Sequence, residues 1–425
     1  MIKINTGIFD MAQIKQVYLE ERYQTTPSSN SKISLIVKIK NKIESTLRIA
    51  DPQGAEKIEV LFLREHFVTG NDAVSEDKIL SYLLNRNIEE IILSFWRCVS
   101  RVWTEKLHEQ DASVMVTEEY AEKLSRWAGV KRCAVKEGNI TRRRAMIWEI
   151  VTKETLPLFV NIEERDIISN AIRGTVITNK EKLKKVNFKY SDMLFDEKGS
   201  IRLLKNVFQY DWLNDAPRHT LITAMHIPVC PYCNRQYITS YLDANKEKTT
   251  ADLDHFYIKS QYPFLALSLY NFVPSCQICN SRFKGTTDFY SNPHVYPYRQ
   301  GFGSKALFKI ADPNLLMDET AWNRPDVVTL AYKNEDEDIR NSVETFCLQD
   351  IYQSHKDYVH EIVWKAKIYG EDQIKELLKS FPEIFENADD VKELVFGQYL
   401  DLKDAYKRPL AKLTQDILKD VYDLD

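Results

Sequence analysis

Two pairs of cysteines near the middle of the chain have the spacing of metal ligands. They read "CPYC" and "CQIC" and comprise Cys230, Cys233, Cys276 and Cys279. A tetrahedral zinc ion binds four thiolates, and two such pairs on separate segments hold those segments together. A redox-active cysteine pair is the alternative, but it would stand alone beside a βαβ unit. The two matched pairs therefore predict one structural Zn²⁺ site.

A polar cluster lies between the two cysteine pairs. The 42 residues that separate the pairs exceed the gap of a minimal zinc ribbon, so a folded segment is expected there. Within it, "TTADLDHF" contains Asp252, Asp254 and His255. The threonines favour extended structure and "DANKEK" before them is a turn, which predicts the second arm of a hairpin. Strand alternation puts the two aspartates on one face and His255 on the other.

The segment that follows, "YNFVPSCQICNSRFKG", contains two asparagines at informative positions. Asn271 precedes a short apolar strand, and Asn280 follows Cys279 directly, where a helix is predicted to begin. Together, D-x-D-H, N-F-V-P-x-C and C-x-x-C-N-x-x-x-K-G resemble the HNH nuclease motif, also called the ββα-metal or His-Me finger, in its zinc-stapled form. The resemblance covers about 60 of the 425 residues. Its last position is Asn280, where the name-giving motif has histidine.

The resemblance implies a catalytic role for four matched residues. His255 would be the general base that activates water, a role that suits an imidazole near neutral pH. Asp254 and Asn280 would hold one catalytic Mg²⁺ or Mn²⁺, because oxygen ligands suit these hard cations. Asn271 would brace the loop that carries the base. The implied reaction is the hydrolysis of phosphodiester bonds.

Four other polar residues near the motif have less specific signals. Lys284 and Arg282 lie in the predicted helix and are candidate contacts to phosphates. Asp252 matches a frequent acidic position of the family, but the sequence gives it no firm role. His294, in "NPHVYPYRQGFG", would line the groove, supply another ligand or only pack among tyrosines.

Charge is distributed unevenly along the chain. The net charge is -4, yet from Ala311 onward there are 26 acidic and 14 basic residues, against 36 acidic and 44 basic before that point. A basic body can attract phosphates although the whole chain is slightly acidic. Arg142, Arg143 and Arg144 are candidate nucleic-acid contacts in it, and a solvated charged face is the alternative.

The rest of the chain predicts helices on both sides of the cysteine segment. The fold class expected is α+β: a mainly α-helical chain with an embedded zinc-stapled HNH module. We expect a helical docking or regulatory domain over 1–215, the nuclease domain over 216–310 and an acidic helical region over 311–425. The sequence lacks a long apolar run and a signal peptide, so the prediction is a cytoplasmic protein that does not contact membranes.

The wording of the motif is most similar to HNH proteins of bacterial anti-phage cassettes, of the Septu type and some retron-linked systems. That resemblance implies a nuclease paired with an ATPase of the ABC/SMC class. DNA is the favoured substrate, and an RNA endonuclease, for instance against transfer RNA, is the first alternative. The second alternative is a non-catalytic zinc module that binds nucleic acid or protein.

Overall fold

The computed structural model describes residues 1–20, 22–23, 32–49, 57–70, 72–108, 115, 117–118, 138–143, 200–214, 216–243, 246–312 and 327–422. The α-helices in these ranges are α1 (Met11–Leu19), α2 (Leu35–Ile49), α3 (Ile58–Phe67), α4 (Glu76–Leu83), α5 (Ile88–His108), α6 (Ser200–Val207), α7 (Ala216–Ala224), α8 (Glu337–Thr345), α9 (Leu348–Ile351), α10 (Lys356–Ile368), α11 (Glu371–Ser380), α12 (Ala388–Phe396) and α13 (Ala411–Tyr422). A short π-helix spans Ile278–Lys284.

The strands form small antiparallel pairs. They are β1 (Arg22–Tyr23) with β2 (Lys32–Ile33), β3 (Ser240–Asp243) with β4 (Lys246–Thr249), β5 (Ala251–His255) with β6 (Phe272–Cys276), and β7 (Ala306–Ile310) with β8 (Val328–Tyr332). Helices and two-stranded sheets in one chain make the fold class α+β, as predicted.

The chain divides into two compact units. The first, called the site unit, comprises Met1–Glu20, Tyr210–Ile258 and Tyr270–Asp425. The second, called the helical unit, comprises Glu21–Gln209 and Lys259–Leu269. These units do not follow the predicted boundaries at 215 and 310, because the first 20 residues and the C-terminal helices share a unit with the cysteine segment. The functional division into three domains stays a prediction.

Aromatic side chains form the core of the helical unit. The ring of Phe264 lies 4.7 Å from that of Phe95 and 5.3 Å from that of Phe62, so the short Lys259–Leu269 segment joins helices α3 and α5. The Tyr82 hydroxyl donates to the backbone oxygen of Phe264 over 3.0 Å. These contacts bury large rings, which is the main source of stability in such a core. Among the described helices, none is both long and apolar enough to cross a membrane.

In the site unit, the C-terminal helices pack on the same core as the strands. Helix α13 lies against β7 and α10. The Asp416 carboxylate of α13 accepts a hydrogen bond of 2.9 Å from the backbone of Phe308 in β7, and it also pairs with the buried Lys412 one turn away. A buried carboxylate needs such partners, since its charge is costly away from water. The acidic tail is therefore partly structural.

The predicted hairpin differs in one respect from the observed one. Strands β3 and β4 do pair as a hairpin, but its second arm is β4, which ends at Thr249. Thr250 bonds back to Thr239 at that point, and the chain then starts β5. Strand β5 pairs with β6, with Asp254 opposite Val273 and His255 opposite Phe272. Every residue of β6 is buried, so pairing with β6 places β5 beside the core.

Candidate functional site

The four cysteines of the two pairs come together in the site unit. Their sulfur atoms all lie within 4.8 Å of one another, and all four side chains are buried. Thiolates on a tetrahedral zinc ion are about 3.8 Å apart for Zn–S bonds of about 2.3 Å, so this cluster fits that metal. Burial raises the pKa of the Cys230 thiol well above its usual value. A bound cation would offset this cost of holding thiolates in the core.

Local backbone structure explains why each pair points at the cluster. The first pair lies on a tight turn, in which the backbone N–H of Asn234 donates to the carbonyl oxygen of Cys230 over 2.8 Å. Asn234 itself adopts a left-handed conformation, with a φ of 50°. The Tyr352 hydroxyl holds the turn from outside by donating to the backbone of Cys233 over 2.6 Å. Cys276 ends β6, and Cys279 lies in the first turn of the π-helix. Both segments therefore reach the cluster from ordered elements.

The π-helix presents two polar side chains to β5. The Gly285 amide donates to Asn280 over 3.0 Å, which closes a turn five residues long, and Gly285 ends the helix at a φ of 51°. The Asn280 amide nitrogen donates to a carboxylate oxygen of Asp252 over 3.0 Å. Lys284, one turn later, reaches Asp254. One face of the π-helix is thus matched to the acidic face of β5.

Asp254 is held by a buried network. The Lys284 ammonium donates to both of its carboxylate oxygens, over 2.7 and 2.8 Å, and to the backbone oxygen of His255. The Tyr232 hydroxyl donates to Asp254 over 2.6 Å. Tyr232 stands inside the first cysteine pair, so this bond connects the cysteine cluster to β5. We call Lys284, Asp254 and Tyr232 the clamp.

His255 lies beside the clamp among aromatic rings. Its side chain is 7% exposed, and its ring contacts Tyr210 edge-on at 4.7 Å and Phe272 at 5.1 Å. Burial raises the pKa of the Tyr210 phenol, which is also close enough to feel the charges of Asp252 and Asp254. Tyr210 therefore lies near both His255 and the two aspartates of β5.

Asn271 braces the loop after β5. Its side-chain oxygen accepts from the Tyr257 amide over 2.8 Å, and its amide nitrogen donates to the Tyr257 carbonyl over 3.0 Å. Its backbone carbonyl accepts from Phe256 over 2.8 Å. A side chain that satisfies both polar groups of one residue fixes the chain there. Asn271 therefore fixes the backbone at Tyr257, two residues after His255.

The predicted nucleic-acid contacts differ in their exposure to solvent. Lys284 is 2% exposed and paired with Asp254, so the structure does not place it on a surface where a phosphate would lie. Arg143 is also 2% exposed, so it does not offer a surface charge to a phosphate. Arg282 and Arg142 are exposed. Arg144 lies outside the described residues.

His294 is a structural residue of the site unit. Its ring stacks on Phe289 at 3.8 Å, Nδ1 lies 2.6 Å from the Asn292 carbonyl, and Nε2 lies 2.8 Å from the Thr345 hydroxyl. The Asn292 carbonyl can only accept, so Nδ1 carries a proton and donates to it. Burial lowers the pKa of the ring to about 4, so near neutral pH Nε2 is unprotonated and accepts from the Thr345 hydroxyl. Of the roles considered from sequence, packing among aromatic side chains is the one its contacts support.

The buried His294 ring predicts a pH dependence of stability. Burial lowers its pKa from 6.5 to about 4. As the pH falls, the histidine of the unfolded chain binds a proton before the buried histidine does. The contribution of the neutral ring to the free energy of unfolding is therefore complete above pH 6.5 and is lost as the pH falls towards 4. We expect a loss of about 2 kcal/mol from this residue between pH 7 and 5. Urea unfolding at both pH values should show it, and His294→Gln should reduce the difference by that amount. An unchanged difference in the variant would contradict the assignment.

Two site residues were missed in the sequence. Tyr232 is part of the clamp and Tyr210 contacts His255, but neither was among the predicted site residues. The position of Tyr232 inside "CPYC" was a usable signal, since a residue between two metal ligands has a fixed location. No such signal marks Tyr210, which lies 45 positions before His255.

The site contains two sets of groups with different chemistry. The cysteines offer soft ligands to a structural metal, and the strand beside them offers carboxylates, an amide and an imidazole. Comparisons of this chain with protein-family models, with curated proteins and with solved structures gave no significant match.

Proposed function

We propose that the site unit is a metal-dependent endonuclease of the HNH type, which hydrolyses phosphodiester bonds of DNA. The observation that carries the proposal is the alignment of Asp252 and Asp254 on β5 with Asn280 on the π-helix, next to His255. The order strand, strand and short helix supports the resemblance to a ββα-metal module. The cysteine cluster supports the zinc-stapled form of it.

His255 is proposed as the general base. An imidazole takes a proton from water near neutral pH, and a base in this position contributes about 10²–10⁴-fold to such a reaction. Asn271 fixes the backbone two residues after it, and Lys284 donates to its carbonyl oxygen. Both contacts restrain the backbone that carries the ring, and a base must be held in position to act.

The oxygen donors at the site fit a hard divalent cation. Asn280 and the acids of β5 offer an amide and two carboxylates, the ligand types that Mg²⁺ and Mn²⁺ prefer. When bound, the cation would supply neutralisation of the phosphate and of the leaving oxygen. The resemblance implies Asp254 and Asn280 as ligands of this cation.

DNA is the proposed substrate, and RNA is the alternative, because this chemistry acts on the phosphodiester and does not require one sugar. Among the described residues, the exposed Arg282 and Arg142 are basic candidates for contacts to phosphates. A role in anti-phage defence with an ABC/SMC-type ATPase partner rests on the resemblance alone. A non-catalytic zinc module is the competing class, and the polar groups gathered around β5 argue against it.

Replacing His255 with alanine tests the proposal. We expect cleavage of plasmid DNA in Mg²⁺ or Mn²⁺ to fall by about 10²–10⁴-fold, with EDTA abolishing it in the wild type. His226→Asn is the matched control, because His226 is exposed and asparagine tolerates its φ of 48°. Total RNA should be incubated in parallel, with and without neighbouring gene products.

Cleavage by His255→Ala at the wild-type rate would show that another group is the base. Cleavage of RNA but not DNA would favour the alternative substrate. A wild-type protein that binds either nucleic acid and cleaves neither would support the non-catalytic class.

A further inference from the structure

We propose that Asn234 couples the metal of the cysteine cluster to docking of the C-terminal helix α13. Asn234 directly follows the second cysteine of the first pair. The bound metal then stabilises the docked helix, and the docked helix in turn slows release of the metal. This coupling requires the metal but not the proposed nuclease activity, so cleavage assays and the measurements below succeed or fail independently.

Asn234 supplies the N-terminal cap that α13 lacks in its own sequence. The first N–H groups of a helix need acceptors, and the residue before the helix usually provides one from a short polar side chain. Leu410 stands at that position and has no acceptor in its side chain. The side-chain oxygen of Asn234 instead accepts a hydrogen bond of 3.0 Å from the backbone N–H of Lys412, 178 positions later in the chain. The cap of α13 therefore comes from the cysteine turn.

The remaining polar groups of Asn234 bind the segment that leads into α13. Its side-chain nitrogen donates to the backbone carbonyls of Ala405 and Arg408, over 3.0 and 3.4 Å. Its own carbonyl accepts from the backbone N–H of Leu410 over 2.6 Å. Asn234 is fully buried, so breaking these bonds would leave its polar groups without water. Docking of the segment and burial of Asn234 therefore occur together.

Leu410 has a backbone conformation that the docked state imposes. Its φ is 62°, which is uncommon for a residue with a bulky side chain. Such strain persists only where surrounding contacts hold it. The backbone N–H of Thr414 donates to the carbonyl oxygen of Leu410 over 2.9 Å, so the strained residue is joined to the first turn of α13. Without the bonds to Asn234, relaxation of Leu410 would remove the fixed start of the helix.

The position of Asn234 depends in turn on the first cysteine pair. Its backbone N–H donates to the carbonyl oxygen of Cys230, and the Tyr352 hydroxyl donates to that of Cys233. A metal bound to both cysteines fixes this turn, because the two residues between the ligands form one short loop. Loss of the metal frees the turn, and with it the cap of α13. The cluster and the helix are thus joined by one residue.

Hydrogen exchange and zinc transfer to a chromophoric chelator, both on the full chain, test the coupling. Asn234→Gly removes the cap and both side-chain donors but keeps the backbone carbonyl and tolerates the φ of 50°. The backbone N–H of Phe308 reports docking, because it donates to Asp416 of α13. We expect the variant to bind about one zinc ion, with exchange at Phe308 and zinc transfer each about tenfold faster. Asp72→Gly, at an exposed residue of the helical unit with a φ of 56°, is the matched control and should change neither rate.

The reverse direction is tested by loosening α13 at a distance from Asn234. Coupling is reciprocal, so a weaker docking of the helix must speed zinc transfer. Ile417→Ala creates a cavity under α13, and Ile374→Ala creates one of the same kind under α11, because both isoleucines are buried. We expect zinc transfer to be about tenfold faster in Ile417→Ala and to change by less than about threefold in Ile374→Ala. If Asn234→Gly does not fold, this pair decides.

Several results would overturn the coupling. A folded Asn234→Gly protein with the wild-type rate of either process would do so, as would equal zinc transfer in the two alanine variants. A wild-type chain that holds no zinc would also contradict it. Stripping zinc from the wild type should speed exchange at Phe308 and leave exchange in α5 of the helical unit constant. Unchanged exchange at Phe308 in the stripped chain would show that α13 docks without the metal.

Discussion

Zinc should be lost from Cys276→Ser together with the folded structure of the site unit. The wild type should contain about one zinc ion per chain, because one four-thiolate cluster is present in the described residues. Structural zinc contributes about 10–16 kcal/mol in small zinc domains, which equals or exceeds the whole stability of a typical domain. Metal analysis and circular dichroism on the purified chain would measure both losses, and strong chelators should reproduce them in the wild type.

Cys347→Ser is the matched control for this experiment. Cys347 lies in the same unit but outside the cluster, and its thiol is half-buried. The control should keep zinc and its melting temperature. A Cys276→Ser protein that holds one zinc ion and melts like the wild type would show that the cluster is not the metal centre.

Lys284→Met should destabilise the site unit by about 3–5 kcal/mol, since it leaves the Asp254 carboxylate buried without its cation. The hydrogen bond from Tyr232 to Asp254 would remain, but a hydroxyl does not neutralise a charge. Adding Asp254→Asn to Lys284→Met should restore most of the loss, because a neutral amide replaces the unpaired carboxylate. Urea unfolding of the single and double variants measures this coupling.

The second buried ion pair of the site unit provides a control for position. Lys412 and Asp416 are 2% and 6% exposed and lie one turn apart on α13. Lys412→Met should therefore cost a similar amount of stability. If Lys284→Met unfolds at the wild-type urea concentration, the carboxylate must have found water, and the clamp would not be a buried network.

The cysteine cluster shows how much a local pattern can specify. Two C-x-x-C pairs predicted a four-ligand centre, and the sulfur atoms do lie within 4.8 Å. Such pairs are informative because two residues between ligands form one short turn, so the backbone itself brings the ligands together. Asn271 is also bonded close by in sequence, because its side chain bonds to Tyr257, 14 positions earlier in the chain.

Long charged side chains were the hardest to predict. Lys284 and Arg143 were candidate contacts to phosphates, with a solvated charge as the alternative, yet both are buried. A lysine side chain can extend into water or fold inward, and the choice depends on what the neighbouring helix face meets. For Lys284 that neighbour is Asp254, 30 positions earlier in the chain.

The sequence alone determined the α+β class, the cysteine centre and the group of polar residues around β5, because these depend on periodicity and short spacings. Only the tertiary structure decided how those residues pair: Asp254 with Lys284 and Tyr232, and Asp252 with Asn280. It also decided that both ends of the chain share one unit with the cysteines. The physical reason is that the pairing of side chains depends on how separate elements pack, and neighbours in space need not be neighbours in sequence.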